Sequence, residues 1–171
     1  MVSEKKVSVA VLMGSDSDMD VMQSCIEQLG YFGIEPIVRI ISAHRTPDIA
    51  AEFAKNAAAN GIEVIIAAAG MAAHLAGAIA AQTTLPVIAV PLFSTGSGLG
   101  GMDALLSTVQ MPPGVPVATM AIGKAGAQNA AIFAVQILAL KDESLALKLV
   151  EFRKKQAQKV AEKDSAVRKR Q

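Results

Sequence analysis

The stretch Val7-Ser8-Val9-Ala10-Val11-Leu12-Met13-Gly14-Ser15-Asp16-Ser17-Asp18 decides how this chain folds. Val7–Met13 is an almost unbroken apolar run rich in β-branched residues, and it stops at Gly14. A strand that does not alternate between apolar and polar residues must be covered on both faces, as strands of a parallel sheet are. Immediately after the Ser/Asp-rich turn, Met19, Met22, Ile26 and Leu29 recur at helical spacing, with Gly30 as a stop signal. Strand, polar turn and helix therefore follow one another within one short segment.

The same alternation continues outward. Pro36–Ile41 reads as a second strand, and Thr46-Pro47-Asp48 as the N-cap, first residue and first-turn acid of a helix carrying Ile49, Phe53 and Ala57 inward. Glu63–Ala69 is a third strand, followed by an Ala-rich helix over about Ala72–Gln82. Pro86–Val90 is a fourth strand, and the Gly/Ser-rich loop Ser94–Gly101 leads to a short helix near Leu105. Pro116–Ile122 and Ala127–Leu140 form a last strand and helix pair, and a final helix begins near Glu143 and turns polar. The expected architecture is a three-layer αβα fold, with a flavodoxin-like, doubly wound parallel sheet of about five strands in the order 2-1-3-4-5. The expectation is one domain over 1–171, with a core over about 7–140 and a C-terminal helix and polar tail from about 143.

Composition narrows the function classes. With 171 residues, 52% of them hydrophobic and 18% charged, the chain is long and apolar enough for a real core, which excludes disorder. A formal net charge of +1 gives no field favouring nucleic acid or a membrane surface. The basic clusters Arg153–Lys155 and Arg168–Arg170 lie among acidic residues and read as a solvated helix face. The single cysteine, Cys25, falls on the apolar side of its helix and reads as a small buried hydrophobe. Met1–Gly14 lacks a small-residue cleavage site, and its apolar run is too short for a secretory signal; a cytoplasmic protein is expected. The Ala-rich helices Ala72–Gln82 and Ala127–Leu140 have almost no polar outer face, so contact with further copies of the chain is expected.

In an open parallel sheet, ligands bind beyond the carboxyl ends of the strands at the switch point. Three segments fall there: Gly14–Asp18, Ser42-Ala43-His44-Arg45-Thr46-Pro47 and Gly70-Met71-Ala72-Ala73-His74-Leu75, which hold both histidines of the chain. Gly14–Asp18 fits two readings: a turn in which Ser and Asp cap the helix, or a phosphate site built from Ser15, Ser17 and helix N-terminal amides. In the second reading Asp18, repelled by phosphate, accepts hydrogen bonds from ribose hydroxyls. Arg45 is either a surface residue or a bidentate phosphate ligand, and His74 either a structural or a site histidine. His44 is the best proton carrier available, since imidazole titrates near ~6.5. No metal-ligand cluster, cofactor or phosphate-loop fingerprint is present; Gly96–Gly101 has the wrong position and spacing for a dinucleotide site. The residues point to cofactor-free acid–base chemistry on a phosphorylated sugar.

Together with Val109-Gln110-Met111-Pro112 and Ile122-Gly123-Lys124-Ala125-Gly126-Ala127, these segments resemble the signature segments of the N5-carboxyaminoimidazole ribonucleotide mutase family, in order and spacing. The resemblance implies a cofactor-free transfer of a carboxylate from the exocyclic nitrogen to a ring carbon of the aminoimidazole, within purine biosynthesis. It implies that His44 shuttles the proton and that Ser15, Asp18 and Arg45 bind substrate. Ser17 and Ser42 match phosphate-side contacts, and Gly70, Ala73, His74 and Leu75 match the pocket around the base and carboxylate. It also implies a homo-octamer. The chain departs from the pattern at Met71, where a second Gly is usual, at Ala76, where Pro is usual, and in a longer loop Ser94–Gly101. Two alternatives remain: the related carboxylase that uses free carbon dioxide on aminoimidazole ribonucleotide, and a non-catalytic flavodoxin-like module that binds a nucleotide or flavin.

Overall fold

A computed structural model describes residues 8–94 and 98–169 of the chain. Val7, the first residue of the expected first strand, and residues 95–97 of the Gly/Ser-rich loop lie outside the described residues. Five strands, β1 (Val9–Met13), β2 (Ile37–Ile40), β3 (Val64–Gly70), β4 (Val87–Leu92) and β5 (Ala118–Thr119), form one parallel sheet in the order β2-β1-β3-β4-β5. This is the doubly wound order the sequence predicts. Helices α1 (Met19–Tyr31), α2 (Pro47–Asn56), α3 (Leu75–Ala80), α4 (Met102–Val109), α5 (Lys124–Ala139) and α6 (Glu143–Arg168) follow the strands in turn. Contacts divide the chain into two compact units, residues 1–134 and 135–171.

The centre of the first unit is made by β1, β3 and β4. Every residue of Val9–Met13 is fully buried, as are Val64–Ile66 and Ile88–Val90. Each fully buried Val, Leu or Ile contributes about 1.5–3 kcal/mol by leaving water, so the three strands supply most of the reason for the sheet to form. The edge strands are weaker. Arg39 and Ile40 of β2 are exposed, and β5 pairs only through Ala118 and Thr119, far short of the strand expected over Pro116–Ile122. Beyond Thr119 the chain keeps only single ties to β4, Met120 N–H to the Ala89 carbonyl at 2.9 Å and Gly123 N–H to the Pro91 carbonyl at 2.9 Å. Just after it, a side chain at Gly126 would overlap the Ala121 carbonyl oxygen, so only glycine lets α5 start so close to the preceding turn.

Two local readings change on folding, and one residue takes a strained backbone conformation. The Ala-rich helix starts at Leu75, not near Ala72, because Ala73 N–H bonds the Met71 carbonyl (2.9 Å) and His74 N–H the Ala72 carbonyl (2.8 Å). Two consecutive tight turns replace the first helical turn. Thr46 does not cap α2 with its side chain; its hydroxyl donates to the Ser42 carbonyl (2.9 Å) and accepts from the Ser42 N–H (3.0 Å), closing the loop Ser42–Thr46 on itself. Met71 adopts φ 54°, the one positive φ at a non-glycine among the described residues. A side chain in that conformation costs roughly 1–2 kcal/mol, a cost that the glycine implied by the resemblance at this position would avoid.

In the second unit, Asp142 caps α6 by accepting from the N–H groups of Ser144 (2.9 Å) and Leu145 (3.2 Å). The helix runs on to Arg168 with exposed side chains throughout its polar half. No described helix is long and apolar enough to cross a membrane.

Cys25 is fully buried on α1, and burial pushes its thiol up to about 12. A thiol reagent at neutral pH should therefore leave the folded protein unlabelled and modify one thiol per chain after denaturation, read by mass spectrometry. Rapid stoichiometric labelling of the native protein would contradict this packing of α1.

Candidate active site

At their carboxyl ends β1, β2, β3 and β4 release four loops onto one edge of the sheet, and the loops enclose a cleft of about 780 Å³. The β1 loop supplies Gly14, Ser15, Ser17 and Asp18, the β2 loop Ser42 to Arg45, the β3 loop Gly70 to Ala72, His74 and Leu75, and the end of β4 Phe93 and Ser94. The cleft opens at the switch point, where the strand order reverses on either side of β1 and β3. A volume of this size accommodates a small ligand.

The β1 loop is built around its own carboxylates. Asp18 accepts the Ser15 N–H at 3.0 Å, which with the Ser15 side chain completes a capping box at the 3₁₀ turn Asp16–Asp18. Burial pushes the Asp18 carboxyl up, against the backbone bonds from Ser15 and Gly14 that pull it down. Asp16 accepts the Ser17 N–H (3.0 Å) and the Ser15 hydroxyl (3.0 Å), while the Ser17 hydroxyl bonds the Ser15 oxygen (3.0 Å). Within the chain, then, the donors of this turn already serve an anionic oxygen. An arriving phosphate would take the place of the Asp16 carboxylate on the same donors.

Arg45 joins the first two loops. Its backbone N–H (3.1 Å) and Nε–H (3.4 Å) reach the Ser42 hydroxyl oxygen, and an Nη2–H reaches the Gly14 carbonyl (3.1 Å). Of the five guanidinium N–H donors these bonds use one on Nε and one on Nη2, so the Nη1 pair remains for a ligand. The guanidinium is exposed. It is therefore held in place by the fold and still able to grip an anion.

His44 and His74 meet across the cleft. His44 Nε2 lies 2.9 Å from His74 Nδ1, with ring centroids 5.0 Å apart and planes at 79°. Two imidazoles in this contact share one hydrogen, donated by one ring to the lone pair of the other. The pair can take up one further proton and keep the bond; a second would put two N–H groups face to face. His44 Nδ1 and His74 Nε2 are left as the outer ends of a short proton path. His74 gets there because the tight turns at Met71–His74 place it at the head of α3.

Of the expected site residues, Ser15, Ser17, Asp18, Ser42, His44, Arg45, Gly70, His74 and Leu75 line the cleft. Ala73 does not: it is fully buried in the turn beneath. Ala43, Met71 and Ala72, in segments expected at this edge but given no role, also line the cleft, and sequence reasoning missed Asp20, Ala69, Phe93 and Ser94. Phe93 and Ser94 were findable, since the rule that places ligands at carboxyl ends applies to the fourth strand as well. Among the described residues, no group of three or more His, Cys, Asp or Glu could hold a metal ion.

Comparison with known proteins bears on this arrangement. The AIR carboxylase family matches residues 8–159. The N5-carboxyaminoimidazole ribonucleotide mutase of Brucella melitensis is 55% identical over 93% of this chain and 97% of that protein. The protein of the same name from Methanocaldococcus jannaschii is 50% identical over 94% of this chain and 97% of that protein. A crystal structure of Treponema denticola PurE superposes with a TM-score of 0.81 at 31% identity, covering 92% of this chain and 96% of that one. The match spans every strand of the sheet and all four cleft loops, and the chain belongs to the AIR carboxylase family.

Proposed function

We propose that this chain is an isomerase that converts N5-carboxyaminoimidazole ribonucleotide to 4-carboxy-5-aminoimidazole ribonucleotide in purine biosynthesis. The observation that carries the reading is the His44–His74 contact beside an anchored Arg45, in a family whose relatives at 50–55% identity bear the mutase name. The reaction needs one proton moved and one carboxyl group transferred. Protonation of the exocyclic nitrogen lets the N–C bond break and releases carbon dioxide. The ring carbon then bonds that carbon dioxide and gives up its hydrogen. The net change is a proton carried from carbon to nitrogen and a carboxylate carried the other way. An imidazole does both halves, giving a proton first and recovering one afterwards.

His44 carries the proton, and His74 fixes its ring and holds the second nitrogen of the path. Arg45, Ser15, Ser17 and Ser42 hold the phosphate, Asp18 the ribose hydroxyls, and Gly70, Ala73 and Leu75 frame the ring and carboxylate, Ala73 from beneath. No step calls for a cofactor. The chemistry of a nucleotide metabolite is that of the cytoplasm, where a reduced Cys25 also belongs.

The face of α4 supports assembly. Met102, Leu106 and Val109, at helical spacing, are 51%, 51% and 50% exposed, an apolar stripe that water covers at a cost. We assign it to contact between copies, with the closed homo-octamer as the assembly the resemblance implies. Ala131, from the helix whose Ala-rich surface first suggested assembly, is fully buried and cannot serve as an outward contact.

Three outcomes follow from these assignments. His44→Asn should lower turnover by roughly a hundredfold or more while the variant still binds nucleotide; near-normal turnover would remove His44 from the reaction. Arg45→Ala should weaken binding of the phosphorylated ligand by about 1.5–3 kcal/mol and leave the dephosphorylated nucleoside little changed. Equal losses for both would mean that the residue only braces the loops. Leu106→Glu should reduce the particle mass seen by light scattering while circular dichroism stays native, and an unchanged mass would clear α4 of the interface.

A further inference from the structure

Met71 and Phe93 stand out on the cleft. Gly70 of β3 is in register with Leu92 of β4, so Met71 and Phe93 are the first residues beyond the ends of two neighbouring strands. Both line the cleft, and both are large apolar side chains left 50% and 55% exposed. Met71 is also held at φ 54°. A strained backbone that delivers an apolar side chain to an open cleft is kept against two costs, and strain of this kind gathers at ligand sites. Met71 opens the two consecutive turns that lead to His74, closed by Ala73 N–H to the Met71 carbonyl and by His74 N–H to the Ala72 carbonyl. The thioether and the imidazole thus come from the same short pair of turns.

We infer that Met71 and Phe93 form an apolar clamp that grips the flat heterocycle of the ligand and sets the specificity of the site for a ring-bearing ribonucleotide. The inference rests on the nucleotide reading of the cleft and adds two residues to it. The hydroxyls, amides and guanidinium of the β1 and β2 loops suit the phosphate and sugar, whereas Met71 and Phe93 offer apolar surface to a planar ring. Methionine sulfur packs well against aromatic edges, and Phe offers a face for offset stacking. The same pair keeps water from the ring carbon beside the histidines.

Titration calorimetry on the full chain tests this with two ligands, aminoimidazole ribonucleotide and ribose 5-phosphate. Met71→Gly suits the positive φ, so the variant should fold at least as stably as the parent. It should bind aminoimidazole ribonucleotide about threefold to tenfold more weakly and ribose 5-phosphate unchanged, the scale of a lost sulfur–ring contact. Phe93→Ala should behave the same way, and Met71→Leu, which keeps the apolar bulk, should retain most of the affinity. Equal weakening for both ligands would show a disturbed loop and overturn the clamp, as would unchanged affinities. A parent chain that binds both ligands well but turns nothing over would sink the proposed reaction and leave the clamp standing. A parent that prefers the ring-bearing ligand, with Met71→Gly indifferent, would sink only the clamp.

Discussion

Everything in the cleft depends on the burial of β1, β3 and β4 on both faces. Strands buried in this way pair in parallel, and parallel strands cannot be joined by a hairpin, so each is followed by a helix that returns the chain to the same starting edge. All carboxyl ends then finish at one edge of the sheet, and loops from distant parts of the sequence are forced together. His44 and His74, thirty positions apart, come within hydrogen-bonding distance for this reason. So does the guanidinium of Arg45, which reaches back to the Gly14 carbonyl of the first loop.

The features legible in the sequence are those with a strong local physical signature. The apolar runs at Val9–Met13 and Val64–Ala69 read as buried strands because nothing else suits such runs at that length. The polar loops read as a site because Ser, Asp, His and Arg cluster where a doubly wound sheet exposes its edge. The misreadings come from residues whose local preference is overridden by contacts. Ala72 and Ala73 favour helix by themselves, but the chain leaving β3 must turn sharply first, and Ala73 ends buried below the cleft. Thr46 has a good capping side chain that serves the Ser42 backbone instead. β5 is short because regular pairing with β4 stops at Thr119 and only single bonds from Met120 and Gly123 follow, a matter of tertiary path that apolar content does not report. Phe93 lies just past β4 and lines the cleft, a place that its own apolar character does not report.

The site divides its labour by chemistry. One side carries hydroxyls, backbone amides and a braced guanidinium, groups suited to phosphate and sugar. The other carries the imidazole pair and the small residues of the β3 loop, suited to a ring that must exchange a proton and a carboxyl group. Asp18 is half-buried in the β1 loop, its carboxyl raised by burial yet tied to the backbone. This division of groups suits the phosphate, ribose and heterocycle of a ribonucleotide. It also explains why a fold shared by many functions serves this one: the scaffold fixes the edge, and the loops supply the reaction.

The central claim is that the carboxyl group is moved within one substrate molecule. The direct measurement follows the carboxyl carbon by nuclear magnetic resonance. N5-carboxyaminoimidazole ribonucleotide labelled with carbon-13 in its carboxylate is turned over by the purified protein in unlabelled bicarbonate. The account predicts that the label appears on the ring carbon of the product largely undiluted. Product carrying mainly unlabelled carboxyl, or formed from aminoimidazole ribonucleotide and bicarbonate as readily, would contradict it and assign the chain to carboxylation by free carbon dioxide.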